Sequence, residues 1–109
     1  MIRIRIKGDL NQIEEFMIWG HARYVQRRED IVCAGVSAIS TAAIIGLTEL
    51  IPGSLQYKIL PEGLMHCRLR DGLPEADAQR AQAVLSTMAL GLISVWTRYP
   101  DHIDFAIRR

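Results

Sequence analysis

Only two cysteines, Cys33 and Cys67, occur in 109 residues. They form neither a C-x-x-C pair nor the dense framework of a small disulfide-stapled fold, so reduced thiols in a cytoplasmic setting are expected. Excess charge of one sign is also lacking. The formal net charge is +1, which argues against a general nucleic-acid binder. No secretory signal is visible, because Met1 leads straight into an alternating strand pattern. Neither a linker, an internal repeat nor a low-complexity segment divides the chain, and its length suits a single domain, 1–109, around one core.

What is present is strongly patterned. Ile2, Ile4 and Ile6 alternate with Arg3, Arg5 and Lys7, the period of a half-buried strand. Gly8, Asp9 and Asn11 mark a turn into a second strand over about Ile13 to Trp19, with Phe16 and Ile18 on the core face. Residues 31 to 51 carry no charge before Glu49, a run long enough to cross a bilayer. Gly35, Ser37, Ser40, Thr41, Gly46 and Thr48 dilute it, however, and no second span accompanies it. The favoured reading is a central helix buried on most sides, with small residues that admit a close neighbour and Pro52-Gly53 as its stop. Leu55 to Leu60 and Leu64 to Arg70 read as a hairpin turning at Pro61-Glu62-Gly63. Pro74 then opens a second helix in its first turn, with a core stripe of Ala81, Val84, Leu85, Met88, Leu92, Val95, Trp96 and Tyr99. Ile103, Phe105 and Ile107 alternate as a last strand. The order β-β-α-β-β-α-β predicts an α/β (α+β) two-layer sandwich, one mixed sheet with two helices packed on one face.

Reactive residues concentrate between Gly20 and Ser37. His21 stands at the end of a strand, Cys33 near the start of a helix, and Arg23, Arg27 and Arg28 lie between them in a loop-like segment. Asp30 suits an N-cap, which would make Ile31, Val32 and Cys33 the first helical positions. Backbone N–H groups and the positive end of the helix dipole would then favour the Cys33 thiolate, and the same amides could hold an oxyanion. An imidazole in reach completes a Cys–His pair.

The run G-H-A, a short loop, then D-I-V-C-A-x-V-S resembles the ribosomal-processing cysteine proteases, and the resemblance extends along the whole chain. It implies His21 and Cys33 as the catalytic dyad. It also implies a substrate, the N-terminal extension of a large-subunit ribosomal protein precursor, with apolar and aromatic residues near the cleavage point. A homodimer is implied as well. Arg23 and Arg28 occupy places where the family's loop carries glycines, a departure that bears on the loop and the substrate sequence rather than on the dyad.

Other residues keep two readings. Asp30 caps the helix, orients His21, or does both. Ser37, one turn beyond Cys33 on the same face, bonds near the site or, the favoured alternative, back to its own helix. Arg23, Arg27 and Arg28 grip substrate or form part of a lid, or are simply solvated. Cys67 belongs to the core, since its neighbour His66 points to the opposite face of a strand. A zinc site from His21, Cys33, His66 and Cys67 lacks the close ligand spacing such sites use. No metal or cofactor is therefore expected, and no membrane or nucleic-acid partner. The competing functional classes are a non-catalytic ribosome-associated module, binding RNA or protein through Arg3, Arg5, Lys7, Arg68 and Arg70 on one sheet face, and a structural dimer.

Overall fold

The computed structural model describes residues 1–20, 27–61 and 63–109, with the backbone alone for 27–30. Seven elements follow in the expected order: β1 Ile2–Asp9, β2 Gln12–Trp19, α1 Arg27–Leu50, β3 Leu55–Ile59, β4 Met65–Leu69, α2 Glu75–Arg98 and β5 Ile103–Arg108. The strands form one sheet in the order β3-β4-β2-β1-β5. Every neighbouring pair is antiparallel except β1 and β5, which run parallel, so the sheet is mixed as expected.

The alternation in β1 decides which face the helices cover. Ile2, Ile4 and Ile6 are buried together with Ile13, Phe16 and Ile18 of β2 and with Met65 and Cys67 of β4. Arg3 and Lys7 point away, and Arg5 reaches across to Asp104 of β5 at 2.9 Å. The hydrogen bond from Arg5 holds the Asp104 carboxyl below its ordinary value. A depressed carboxylate stabilises the fold above its unfolded pKa, and that contribution fades as pH falls through the folded one.

On the apolar face, α2 lies over β2 and β5, while α1 lies beside it and touches β3. The two helices meet through small residues, as the sequence suggested. Gly35 faces Val95, Gly46 faces Val84, and the Ile39 side chain sits over Gly91, where an added Cβ would lie 3.3 Å from Ile39 Cγ2. Ala81, Leu85, Met88 and Leu92 of the expected α2 stripe are buried, and Val84, Val95, Trp96 and Tyr99 pack at its margin. Trp96 stacks on Phe105 of β5 with ring centroids 5.1 Å apart. Pro74 stands one place earlier than expected, immediately before the first helical residue.

The β1–β2 register shifts between Lys7 and Gly8, leaving the backbone of Ile13 to be satisfied from elsewhere. Gln82 of α2 does so with both ends of its amide. Its Oε1 accepts from the Ile13 N–H at 2.7 Å, and its Nε2 donates to the Ile13 carbonyl at 2.8 Å. Leucine fills similar space but would leave both groups without partners. Gln82→Leu is therefore expected to lower stability by about 1–3 kcal/mol in a urea titration monitored by circular dichroism.

Candidate active site

Strand β2 ends at Gly20, whose φ is +91° and whose place beside the Met1 carbonyl leaves no room for a Cβ. Only glycine fits this position, the residue before His21. His21 and Arg23 themselves lie outside the described residues.

The helix carrying Cys33 starts earlier than expected. It begins at Arg27, which makes Asp30 its fourth residue and Cys33 its seventh. Asp30 is thus not the N-cap, and Arg27 and Arg28 have helical rather than loop backbone. Being past the first turn, Cys33 has an amide that can bond four residues back within the helix, and it lies beyond the strongest part of the dipole field. The sequence argument that placed this thiol among unsatisfied helix-start amides is corrected accordingly. Those amides are not its own.

What α1 does give Cys33 is an orientation. At about 100° per residue, Val32, Val36, Ala43 and Leu47 form the inner face, and all four are buried. Gly35, Ile39, Ala42 and Gly46 form the flank that borders α2. Cys33, Ser37, Ile44 and Thr48 follow the opposite flank, away from α2 and toward the side of the sheet where β3 is the edge. Cys33 is partly buried against the core on this flank, and Ser37 is half-buried one turn further along it. Back-bonding to the helix is carried by Ser40, whose hydroxyl donates to the Val36 carbonyl at 2.6 Å and more weakly to that of Ser37. Structure thus brings Cys33 and Ser37 together and leaves the role of the Asp30 side chain outside the described residues.

The sequence reading passed over two other residues beside this flank. Tyr57 and Ile59 pair in register with Cys67 and Met65 of β4, so they occupy the helix-bearing face of the sheet. Each is nevertheless 52% exposed.

The second thiol has a different setting. Cys67 is 1% exposed between Phe16 and Tyr57, its register partners on the two neighbouring strands. Burial pushes its pKa up to about 12, because a thiolate there would forfeit hydration without gaining a partner charge. Among the described residues no group of three or more His, Cys, Asp or Glu side chains could hold a metal ion.

The two-layer α+β sandwich is shared with solved proteases. A crystal structure of the ribosomal processing protease Prp from S. aureus with a substrate peptide superposes with TM-score 0.84 at 24% identity, covering 99% of this chain and 100% of that one. A second structure of that enzyme, with a covalently linked product peptide, gives TM-score 0.81 at 25% identity over the same shares of the two chains. In sequence, the ribosomal processing cysteine protease Prp of Staphylococcus aureus strain Mu50 is 34% identical over 99 residues, 88% of each chain. The family described as cysteine protease Prp matches residues 1–104. The chain belongs to this cysteine protease family.

The two thiols should separate cleanly by reactivity. In native protein at pH 7, iodoacetamide is expected to label Cys33 and spare Cys67, with both labelled after denaturation, as read by intact-mass and peptide mass spectrometry.

Proposed function

We propose that this protein is a cytoplasmic cysteine endopeptidase that removes the N-terminal extension of a large-subunit ribosomal protein precursor, with Cys33 as nucleophile and His21 as general base. One observation carries the reading. In a chain of this family, Cys33 is the more accessible of two thiols and stands on a helix flank that α2 does not cover. His21 follows in sequence on Gly20, the positive-φ residue just past β2. The relative from S. aureus is a ribosomal processing enzyme, and its solved complexes hold a substrate peptide and a covalently linked product.

The reaction runs as acyl transfer. His21 takes the thiol proton as the Cys33 sulfur attacks the scissile carbonyl, and it returns that proton to the departing amine. A thioester to Cys33 remains. His21 then deprotonates a water that adds to the thioester carbonyl, and collapse expels the sulfur and frees the new carboxylate. Arg23, Arg27 and Arg28 lie between the dyad members in sequence and contact the substrate from that side. None of these steps calls for a metal or an organic cofactor.

A synthetic peptide spanning the extension and the mature start is expected to be cut once by the native protein. Cys33→Ala should abolish cleavage, and His21→Ala should lower kcat/KM by at least about 100-fold, measured by chromatography of the products. Equal cutting by Cys33→Ala would overturn the assignment.

The homodimer belongs to the same proposal. Its support is an apolar strip on the outer side of α1, where Ile31 and Ile45 are 59% and 56% exposed and Ala34 and Ala38 lie between them. The strip continues into an apolar groove bounded by Ala42, Gly46, Ala83 and Gly91. Ile45 makes a direct probe, because as an exposed residue it can be changed without opening the core. Ile45→Glu should shift the mass measured by light scattering from two chains to one, with circular dichroism unchanged.

A further inference from the structure

One edge of the sheet keeps a row of backbone groups that β4 does not use. Strand β3 is the first of the five, and among the described residues no strand lies beyond it. Its ladder to β4 shows which of its backbone groups are committed. The Arg70 N–H donates to the Ser54 carbonyl at 2.8 Å, and the Leu60 N–H donates to the Leu64 carbonyl at 2.8 Å. With Gln56 opposite Arg68 and Lys58 opposite His66 in the same register, the even-numbered residues are those that exchange hydrogen bonds with β4. Antiparallel ladders alternate. The N–H and C=O groups of Leu55, Tyr57 and Ile59 are therefore directed to the open edge.

The side chains of two of these residues complete the feature. Tyr57 and Ile59 lie on the helix-bearing face, each 52% exposed, whereas Leu55 nearer the end of α1 is 8% exposed. The flank of α1 above this edge is the one that carries Cys33 and Ser37. An open row of backbone donors and acceptors and two apolar side chains two positions apart thus lie on the side of the molecule toward which the Cys33 flank of α1 faces. A solvated edge would carry charge on both faces to discourage association. Here Lys58 lies on the opposite face, opposite His66 in register, and the face toward Cys33 is left apolar.

We propose that β3 is the substrate-docking strand. An extended segment of the substrate adds to its edge through the backbone of Tyr57 and Ile59, and apolar substrate side chains at alternate positions settle on those two side chains, the peptide running on toward the end of α1 that carries Cys33. Specificity then comes from a period-two apolar pattern in the peptide, and the strand pairing holds the chain extended for attack. This assignment rests on the proposed peptidase activity only for its choice of peptide, because docking can be measured without cleavage.

The test uses full-length Cys33→Ala protein and a fluorescein-labelled extension peptide, with binding read by anisotropy. N-methylation of single peptide bonds is expected to weaken binding at least about tenfold at every second position along the segment and little at those between, since alternate N–H groups face the partner strand. Ile59→Lys should weaken binding by a similar factor, and a peptide with Glu at the matching apolar position should recover it. In the active protein the same change should raise KM. Uniform or absent N-methyl effects, unchanged binding by both Ile59→Lys and Tyr57→Lys, or conversion of a dimer to a monomer by Ile59→Lys would each overturn the assignment. If the native protein fails to cut a peptide that Cys33→Ala binds with the alternating pattern, the peptidase reading falls and the docking strand stands.

Discussion

The close approach of α1 to α2 sets the rest of the architecture. Five strands about 4.8 Å apart present a face roughly 19 Å wide, and two helices each about 10 Å across can just cover it. Any tightening between the helices uncovers an edge. Gly35 against Val95, Gly46 against Val84 and Ile39 over Gly91 provide that tightening. Packing of α1 toward its partner leaves β3 with Tyr57 and Ile59 in partial contact with water, and among the described residues it leaves the flank bearing Cys33 without a neighbouring helix. Side chains at the glycine positions would push the helices apart and carry α1 further over β3.

Much of this was legible in the residues. The alternation of Ile2, Ile4 and Ile6 with cations named both the strand and its buried face, and the stripe from Ala81 to Tyr99 named the inner side of α2. Such patterns are legible because each side chain's partitioning depends on a local period. The start of α1 was not. Asp30 is a favourable cap, but Arg27, Arg28 and Glu29 are good helix formers, and an aspartate also suits the first turn. The choice between those starts depends on what surrounds the segment and not on the segment itself. The motif around Cys33 marks it as the candidate nucleophile, but a place among free helix-start amides does not hold in a helix that begins at Arg27. Tyr57 and Ile59 were read as ordinary strand residues because edge position and helix coverage are properties of the whole sandwich.

Helix α1 also explains how a sequence can be apolar enough to cross a membrane while serving as a packing element. Its segment Ile31–Leu50 passes the length and composition test for a span. Its faces nevertheless have separate uses. The inner one lies on the sheet, one flank meets α2, and the other carries Cys33. What remains is the strip from Ile31 to Ile45, open in the single chain, and that strip is the surface the proposed dimer would cover. Polar residues in the run support the same division. Ser40 is fully buried, yet its hydroxyl is satisfied by the helix's own carbonyl at Val36, so it narrows the helix without introducing an unsatisfied group.

The two cysteines show why an opening in the cover belongs to the function. Both are thiols on elements of the same core, and their chemistry differs through solvation. Cys67, placed between strands under the helices, has lost water altogether, and its ionisation is driven out of the physiological range. A nucleophile cannot be placed there, because attack needs the thiolate and room for a carbonyl to approach. Such a residue must sit where the layer is incomplete, next to backbone that can hold a peptide. In this fold the incomplete place lies along the β3 edge, which is open because β3 ends the sheet on that side and thinly covered because α1 is drawn toward α2. A cysteine moved to the α2-facing flank, at Gly35 or Gly46, would have the same helix beneath it and no path for a substrate.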